Sequence, residues 1–484
     1  MATNPEKICT NVSKKVLIIG AGVAGIIVAK KLSEQPEKFI TIGFLDDDLS
    51  KEKLHIIDIP VIGNIRNLET DIKKYNIDLV VLAIPSLEAE KKLAIIEQCK
   101  MVAVNIRVVT GVEDITFERI TQTNVTMEDL LGRAPIKLSE KQLTSQIKGT
   151  TIMVTGAGGS IGSEICRQIC IHQPKQLVIL GHGENSIYQI HMELLKRFGQ
   201  SVVISPIIAD IQDETRIDEV MKKYRPTNVY HAAAHKHVPL MELNPVEAVK
   251  NNVIGTKNMV IAAAKYNVEN FILVSSDKAV NPQNIMGATK RIAEMTVQMI
   301  AAETDKNFSV VRFGNVLGSR GSVIPLFKEQ IKQGGPVTVT HPDMTRYFMT
   351  IPEAAGLVIQ AGSLENGSKI YVLDMGEPIK ITTLAENLIT MSGYTLQEIN
   401  IEFTGIRQGD KLHEELMDDD EMYPEQIIPK IHIGKPKLFS DDEVIRFMQE
   451  FPTISEKQLI QNIYELVGTK KDMECATVKG AVSK

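Results

Sequence analysis

The sequence has few cysteines, no long apolar run and no excess of basic residues. Its 5 cysteines among 484 residues are scattered and odd in number, which is typical of a reducing compartment and not of a disulfide framework. No set of His or Cys partners surrounds Cys166 and Cys170, so we expect them to pack inside a helix and we expect no metal site. The formal net charge of −6 argues against a general nucleic-acid-binding protein, although local arginines can still hold an anionic small ligand.

Nothing in the sequence predicts insertion into a membrane. The first residues, MATNPEKICTNVSKK, lack the apolar core of a signal peptide. The longest apolar stretch, VLIIGAGVAGIIVA, is rich in glycine and shorter than the roughly 20 residues that a membrane-spanning helix needs. We therefore expect a cytoplasmic protein without a membrane span.

The first of two glycine-rich turns lies near the N-terminus. A strand-like apolar run leads into Gly20, Gly22 and Gly25, an apolar-periodic helix follows, and Asp46 ends the next predicted strand. This pattern predicts a Rossmann-like domain with a second candidate nucleotide site. No reactive set of side chains follows the turn, so a regulatory or assembly site and a vestigial scaffold both stay open.

The second turn repeats the pattern after residue 150. A β-run leads into Gly156, Gly159 and Gly162, and strands then alternate with helix-length stretches, which predicts a doubly wound parallel sheet. Glycines let the backbone approach a pyrophosphate, and the helix N-terminus adds amide donors. After residue 315 the alternation loosens, which indicates a smaller substrate-binding lobe.

The type of dinucleotide stays open. Where an NAD-preferring site carries an acid for the ribose 2′-hydroxyl, this chain has Gly181 and His182, so we expect NAD or NADP. Asp210, after a later strand, suits an adenine contact. The full set of predicted cofactor-binding residues is Gly156, Gly158, Gly159, Ser160, Ile161, Gly162, His182, Asp210, Ile211, Ala232, Ala233, Ala234 and Lys290.

These patterns predict an α/β fold with two Rossmann-like domains. The predicted segments are an N-terminal tail (1–13), a Rossmann-like domain (14–135), a linker (136–149), a catalytic domain (150–435), and a C-terminal helical segment with a flexible tail (436–484).

The stretch SSDKAVNPQNIMGATK, residues 275–290, carries the candidate chemistry. Ser276, Asp277 and Lys278 follow the β-run FILV, and open α/β sheets bind ligands at the carboxyl ends of their strands. Met286 and Lys290 are four residues apart and share a helix face, where a lysine can hold the nicotinamide ribose. A thioether cannot replace the tyrosine that many nucleotide-sugar enzymes carry at this place.

Five stretches of the sequence resemble a known group of enzymes. They resemble the extended short-chain dehydrogenase/reductase superfamily and, within it, the bacterial UDP-N-acetylglucosamine 4,6-dehydratases of polysaccharide biosynthesis. The resemblance covers about 130–435, and large members also have an extra Rossmann-like domain but begin with transmembrane helices, which this sequence does not show. The stretches are TGAGGSIGSE, HAAAHKHVPLMELNP, SSDKAVNPQNIMGATK, RFGNVLGSRGSVIPLF and HPDMTRYFMTIPEA.

The resemblance implies a dehydration with a tightly bound NAD or NADP, in a homo-oligomer. Large members commonly carry methionine at the tyrosine position, so Met286 is expected to mark a subfamily. Hydride leaves sugar C4, Lys278 removes the C5 proton, Asp277 protonates the departing C6 hydroxyl, and hydride returns to C6. Ser276 would hydrogen-bond the sugar O4, and Asp277 would accept the O4 proton. We expect burial and neighbouring positive charges to lower the pKa of Lys278.

The resemblance also implies residues for the UDP-sugar. Arginine is the natural bidentate partner of a diphosphate. The expected substrate-binding residues are Asn315, Arg320, Arg346, Arg407 and Glu414.

Two alternatives remain open at this stage. A UDP-N-acetylhexosamine 4-epimerase shares the first hydride transfer but needs neither a C5 base nor an acid at C6. A non-catalytic dinucleotide-binding regulator of polysaccharide assembly would use the glycine turns without the Asp277–Lys278 pair.

Overall fold

A computed structural model describes residues 13–102, 104–109, 140–364, 368–392, 394–418, 421, 430–435 and 439–468. They form two compact units. Unit 1 contains the described residues of 1–135 together with Val323–Pro342 and Lys380–Thr404, and unit 2 contains those of 136–322, 343–379 and 405–484.

The strands are numbered here along the whole chain. They are β1 Lys14–Ile19, β2 Phe39–Leu45, β3 His55–Ile56, β4 Ile59–Gly63, β5 Leu79–Leu82, β6 Asn105–Val108, β7 Thr151–Thr155, β8 Gln176–Gly181, β9 Val203–Ile208, β10 Asn228–His231, β11 Asn270–Val274, β12 Asn307–Arg312, β13 Asn315–Val316, β14 Val337–Val339, β15 Thr345–Arg346, β16 Phe348–Met349, β17 Ile370–Leu373, β18 Ile379–Lys380, β19 Ile401–Phe403 and β20 Ile431–Gly434.

The helices are named by their bounds. The α-helices are Val23–Ser33, Leu68–Tyr75, Ala89–Met101, Glu140–Ile147, Ser160–Ile171, Glu184–Phe198, Glu214–Tyr224, Val238–Leu243, Pro245–Ala248, Gly255–Lys265, Ile285–Ala302, Val323–Lys332, Ile351–Gly362, Ile381–Met391, Asp441–Glu450 and Glu456–Leu466. A π-helix spans Val249–Ile254, and short 3₁₀ turns span Leu49–Lys51, Ile65–Asn67 and Asp277–Ala279.

Unit 1 is built on a six-stranded sheet with the strand order β3-β4-β2-β1-β5-β6. The strand β1 pairs in parallel with β2 and β5, and its residues Val16 to Ile19 are fully buried, as expected for a central strand covered on both faces. In the same unit, Ile381–Met391 packs against β6, and β14 pairs with β19.

Unit 2 contains an eight-stranded sheet with the order β20-β17-β12-β11-β10-β7-β8-β9. Its neighbouring strands are parallel except for β17 and β20, which run antiparallel. From β7 the chain proceeds through β8 to β9, and it then crosses back to place β10 on the other side of β7. The strand order therefore reverses between β7 and β10, and such a switch point leaves a crevice at the carboxyl ends of the two strands.

Helices cover both faces of this second sheet. Along β7, Ile152 and Val154 belong to one buried cluster, whereas Met153 belongs to another on the opposite face. The first cluster includes residues of Ser160–Ile171 and Ile351–Gly362, and the second includes residues of Gly255–Lys265. The predicted fold class, α/β with two Rossmann-like parallel sheets, is confirmed.

The compact units differ from the predicted segments in two ways. The range 136–149, expected to be a linker, contains the helix Glu140–Ile147, and Leu143 and Ile147 are buried in the unit 2 core. Two segments of the predicted catalytic range, Val323–Pro342 and Lys380–Thr404, belong to unit 1. The N-terminal tail as far as residue 12, the stretch 110–135 and the C-terminal tail from residue 469 lie outside the described residues.

Candidate active site

The second glycine turn lies at the switch point of the unit 2 sheet. Gly156 has a φ of +64°, and a Cβ there would come within 2.7 Å of the Ala232 carbonyl carbon and oxygen, so the turn requires glycine. The Gly159 amide donates to the Gly156 carbonyl at 2.8 Å, and the helix starting at Ser160 has no side-chain cap. A Cβ on Gly162 would collide with the Gly156 carbonyl, which explains the third glycine.

The other predicted cofactor residues follow neighbouring strands. His182 lies exposed after β8, Asp210 lies exposed after β9, and Ala232 to Ala234 follow β10 half-buried. The Asp210 Oδ1 accepts a hydrogen bond from the Gln212 amide at 2.9 Å. Ile211 is buried against Gly255, so its place is structural. The strand ends of β7 to β10 thus form one continuous edge, along which the predicted cofactor residues lie.

The acid–amine pair lies at the end of the adjacent strand β11. The Asp277 side chain is 1% exposed, and its Oδ1 accepts from the Ser276 hydroxyl at 2.7 Å and from the Lys278 ammonium at 3.1 Å. Its Oδ2 is buried and has no hydrogen-bond partner within the described part of the chain. Gly314 lies beside this oxygen, and a Cβ there would come within 3.4 Å of it.

Lys278 is the centre of a small polar cluster. Its Nζ lies 3.1 Å from Asp277 Oδ1, 3.3 Å from Asn315 Oδ1 and 3.2 Å from Glu414 Oε1. Two predicted substrate residues, Asn315 and Glu414, therefore converge on the predicted base.

The expectation of a lowered pKa for Lys278 is wrong for this arrangement. Burial lowers the pKa of Lys278, but the carboxylates of Asp277 and Glu414 outweigh burial and raise the pKa above its usual 10.5. The sequence did not show that Glu414 would reach Lys278. In this structure Lys278 is therefore an ammonium held between two carboxylates.

Lys290, one of three lysines in the described residues with a lowered pKa, lies near the pair. It is 4% exposed, its Nζ donates to the Val274 carbonyl at 2.7 Å, and burial lowers its pKa to about 8, opposed by the charge of Glu294. Nearby, burial and then Lys290 lower the pKa of His231 to about 3, so this histidine is neutral. His231 bonds Thr155 at 2.7 Å and Thr256 at 3.1 Å, which makes it a structural side chain.

Met286 packs in an apolar cluster. It is 4% exposed and lies among residues of neighbouring helices that include Met241, Val253, Phe447 and Ile463. Its side chain therefore fills space, and its position on the helix places Lys290 one turn further along.

A buried charge network that was not predicted from the sequence lies next to the Asp277–Lys278 pair and contacts Ser275. Glu294 accepts from the Ser275 hydroxyl at 2.6 Å, from Arg312 Nε at 2.8 Å and from Arg291 Nη1 at 3.0 Å. Arg312 also donates to Glu421 at 2.7 Å. The four-residue spacing of Lys290 and Glu294 on one predicted helix was the available signal, because it places both on one face.

The predicted substrate arginines are dispersed. Arg320 donates from Nη1 to the Gly158 carbonyl at 3.0 Å, so it lies on the glycine turn. Arg346 is 6% exposed and its guanidinium bonds the carbonyls of 345, 411 and 412, which holds the backbone before Glu414. Arg407 is 62% exposed and pairs with Asp410 at 3.1 Å.

The first glycine turn, in unit 1, is closed by its own acid. The Asp46 Oδ2 accepts from the Ala21 amide at 2.7 Å and from Lys51 at 3.0 Å, and its Oδ1 accepts from the Asp48 amide. Burial would raise the pKa of Asp46, but these hydrogen bonds outweigh it and lower the pKa. The carboxylate of this second candidate nucleotide site is therefore engaged by the protein itself.

None of the helices in the described ranges combines the length and the apolar character that a membrane span requires. The same residues contain no group of three or more His, Cys, Asp or Glu side chains with the geometry of a metal site.

Known proteins match both parts of the chain. Residues 152–436 match a family described as polysaccharide biosynthesis protein, and residues 7–110 match a family described as CoA-binding domain. The probable polysaccharide biosynthesis protein EpsC of Bacillus subtilis is 51% identical over 96% of this chain and 79% of its own length.

More distant relatives have named reactions. A UDP-N-acetylglucosamine 4,6-dehydratase (inverting) of Campylobacter jejuni is 33% identical over 57% of this chain and 79% of its own. A UDP-glucose 4-epimerase of Rickettsia canadensis is 34% identical over 56% and 79%. The solved structure of Pen from Bacillus thuringiensis is 34% identical, with a TM-score of 0.54 over 59% of this chain and 89% of that one.

These matches confirm the predicted relationship at the level of the family, and they relate the chain to nucleotide-sugar dehydratases and epimerases alike. Because the family match extends over more than half of the sequence and one relative aligns with nearly all of it, this chain belongs to the polysaccharide biosynthesis protein family.

Proposed function

We propose that this chain dehydrates UDP-N-acetylglucosamine to a UDP-4-keto-6-deoxy-N-acetylhexosamine for surface or extracellular polysaccharide synthesis. The observation that carries the proposal is the side-by-side placement of Asp277 and Lys278 at a strand end, with Asp277 Oδ2 buried and unpartnered among the described residues. A buried oxygen without a partner is unfavourable unless a ligand completes it. The dehydratase relative of Campylobacter jejuni supports the choice of substrate.

The residues at the switch point fit a nicotinamide dinucleotide. Gly156 and Gly158 form a tight turn in which a Cβ would meet Ala232 or Ser186, and this turn leads into the uncapped helix that starts at Ser160. Lys290 supplies a buried amine at the end of β11. His182, and not an acid, directly follows β8, so NAD and NADP are both retained. A nicotinamide held by these residues would supply reversible hydride transfer with the sugar carbons.

Asp277 moves a proton between two sugar oxygens. It takes the proton from O4 as the 4-ketone forms, with Ser276 orienting that oxygen through its 2.7 Å bond to Asp277. It then gives this proton to the C6 hydroxyl, which leaves as water. One carboxyl group serves both steps because it ends each turnover ionised, as it began.

Lys278 removes the C5 proton that the ketone has made acidic. The C5–H electron pair forms the C5=C6 double bond as the C6–O bond breaks. The same nitrogen, whose protons exchange with solvent, gives one proton to C5 when hydride arrives at C6. The net change is the loss of one water.

An epimerase is the competing reaction, because an epimerase relative is as similar as the dehydratase. It needs only the first hydride transfer and its reversal. A base at C5 and an acid at C6 have no task in that reaction, so Asp277 beside Lys278 favours dehydration.

The deciding experiment is incubation of the purified chain with UDP-N-acetylglucosamine in deuterated water, followed by proton NMR and mass spectrometry. We expect a product lighter by one water, a new C6 methyl signal and deuterium at C5. A parallel reaction in ordinary water is the control for the label. A product of unchanged mass identifies an epimerase, and bound cofactor without turnover identifies a regulator.

A further inference from the structure

Lys278 poses a problem for the dehydration proposed above, on which this inference rests. A base must be neutral when it accepts a proton, whereas Lys278 lies within 3.2 Å of two carboxylates that favour its charged form. Some group must therefore take the extra proton of the ammonium before the reaction.

Glu414 is placed to take that proton. Its Oε1 lies 3.2 Å from Lys278 Nζ, within reach of a direct proton transfer, and its side chain is 3% exposed. Its Oε2 is buried and has no hydrogen-bond partner in the described ranges. A buried polar oxygen without a partner has lost its hydration without replacing it, which is unfavourable.

Asp277, the other carboxylate beside Lys278, cannot serve in this role. It is needed to carry the proton from O4 to the C6 hydroxyl, and one carboxyl group holds one proton at a time. Its Oδ1 also accepts the Ser276 hydroxyl at 2.7 Å, so this oxygen already has a second donor besides Lys278.

Charge balance permits the transfer. Arg346 Nε lies 3.7 Å from Glu414 Oε1, so the cluster holds two cations and two anions. After the proton moves, Arg346 and Asp277 remain charged and the sum is still zero. A substrate that covers the 18% exposed Lys278 removes water from the pair, and a buried neutral pair then becomes favourable relative to a buried ion pair.

We propose that Glu414 is a positioning residue that accepts the ammonium proton of Lys278, so that Lys278 meets the sugar as a neutral amine. In this step a Lys278 N–H bond breaks and a Glu414 O–H bond forms, which gives an amine and a carboxylic acid. Lys278 then takes the C5 proton, and the ammonium so formed, whose protons exchange with solvent, later gives one proton to C5. When product leaves and water re-enters, the proton goes back from Glu414 to Lys278.

The test compares Glu414→Gln, Glu414→Ala and the matched control Glu415→Gln. Glu415 is 52% exposed and pairs with Lys411 and Asn281, so its loss removes a charge without entering the cluster. We expect Glu414→Gln to lower kcat at least about 100-fold with little change in KM, and Glu415→Gln to stay within about twofold of wild type.

Added formate separates proton acceptance from packing. In Glu414→Ala it can enter the space left by the side chain, so we expect it to raise kcat about tenfold or more; in Glu414→Gln the amide fills that space and formate has no effect. A raised KM with normal kcat in Glu414→Gln overturns the proposal and makes Glu414 a substrate-binding residue. Absence of formate rescue in Glu414→Ala also overturns it.

A measurement on the wild-type chain covers the case in which these variants do not fold. Infrared difference spectra with and without UDP-N-acetylglucosamine should show a carboxylic acid carbonyl band that shifts when glutamate is labelled with ¹³C. If wild type dehydrates the sugar and no such band forms, the inference about Glu414 is wrong. If wild type forms no 6-deoxy-4-keto sugar, the proposed function itself is wrong.

Discussion

The two glycine turns of this chain share one sequence pattern, a strand followed by a glycine turn and a helix, but different side chains surround them. In both, the first glycine has a positive φ, +101° at Gly20 and +64° at Gly156, and the third glycine lies against the carbonyl of the first. In unit 1 the neighbouring acid, Asp46, bonds the turn itself. In unit 2 the neighbouring strand β11 brings Asp277 and Lys278 to the same edge of the sheet.

A glycine turn therefore specifies the conformation of the backbone and does not specify a reaction. Glycines permit the turn and expose amides. The chemistry depends on the side chains that other strand ends place nearby, and these come from distant parts of the chain, such as Glu414, 136 positions after Lys278. Four predictions test this contrast, beginning with the largest expected effect.

Replacing Lys278 with Ala removes the proposed base. We expect kcat for water loss to fall by about 10²- to 10⁴-fold, because no other amine replaces Lys278 beside Asp277, while the cofactor stays bound at the glycine turn. Mass spectrometry of the sugar product and absorbance of the released cofactor measure the two outcomes. Lys265→Ala, at a 57% exposed surface pair with Asp218, is the control. Near-normal turnover in Lys278→Ala would show that Lys278 is not the base and that unit 2 owes no activity to it.

Substituting the first glycine of each turn separates the two units directly. An alanine at Gly156 must adopt a φ of +64° and meets Ala232, and one at Gly20 must adopt +101° and meets Ala83, so each carries strain of about 1–3 kcal/mol. We expect Gly156→Ala to weaken cofactor retention by about tenfold to 100-fold. Gly20→Ala should lower the stability of unit 1 and leave retention unchanged. Equal loss of cofactor in both variants would show that the turns share one function.

The buried Glu294 network gives unit 2 its own acid sensitivity. Burial alone would raise the pKa of Glu294, but Arg312 and Arg291 hold it at about 2, against 4.5 ordinarily. The native state therefore binds fewer protons than the unfolded state between these values, and stability is present above pH 4.5 and is lost as pH falls towards 2. The pKa of His231 is about 3, against 6.5 ordinarily. This group therefore also lowers the stability of the folded state as pH falls below 6.5.

Glu294→Gln should remove part of this sensitivity. We expect a loss of about 3 kcal/mol at neutral pH, because Arg312 loses a buried partner. The dependence on pH below 4.5 should flatten by about 1.4 kcal/mol per pH unit. Denaturant titrations across pH give both quantities, and hydrogen exchange should place the change in unit 2 peptides. An unaltered slope would show that Glu294 is already protonated in the folded state.

Met286→Leu is the smallest expected change. Met286 packs among apolar side chains, and swaps that conserve volume change stability by less than about 1.5 kcal/mol. Turnover should stay within about twofold of wild type. A collapse of turnover in a folded variant, checked by circular dichroism, would give the thioether a chemical part that packing does not explain.

Much of the fold could be predicted from the sequence, because strands, turns and helices depend on patterns among residues that are close together in the chain. Apolar runs such as Val16 to Ile19, glycines followed by apolar-periodic stretches, and the alternation of strands with helices predict both parallel sheets. The same rules place Ser276, Asp277 and Lys278 at a strand end, because the residues that follow a parallel strand lie at its carboxyl edge.

Only the tertiary structure decided which groups meet. It placed Glu414 against Lys278, and this contact helps to raise the pKa of Lys278, which the sequence predicted to be lowered. It also paired Glu294 with Arg312 and placed the Asp46 carboxylate where it accepts a hydrogen bond from the glycine turn. The segments Val323–Pro342 and Lys380–Thr404 became part of unit 1. Periodicity and turn signals act over a few residues, whereas charge coupling depends on distances of about 3–4 Å between groups that chain folding alone brings together.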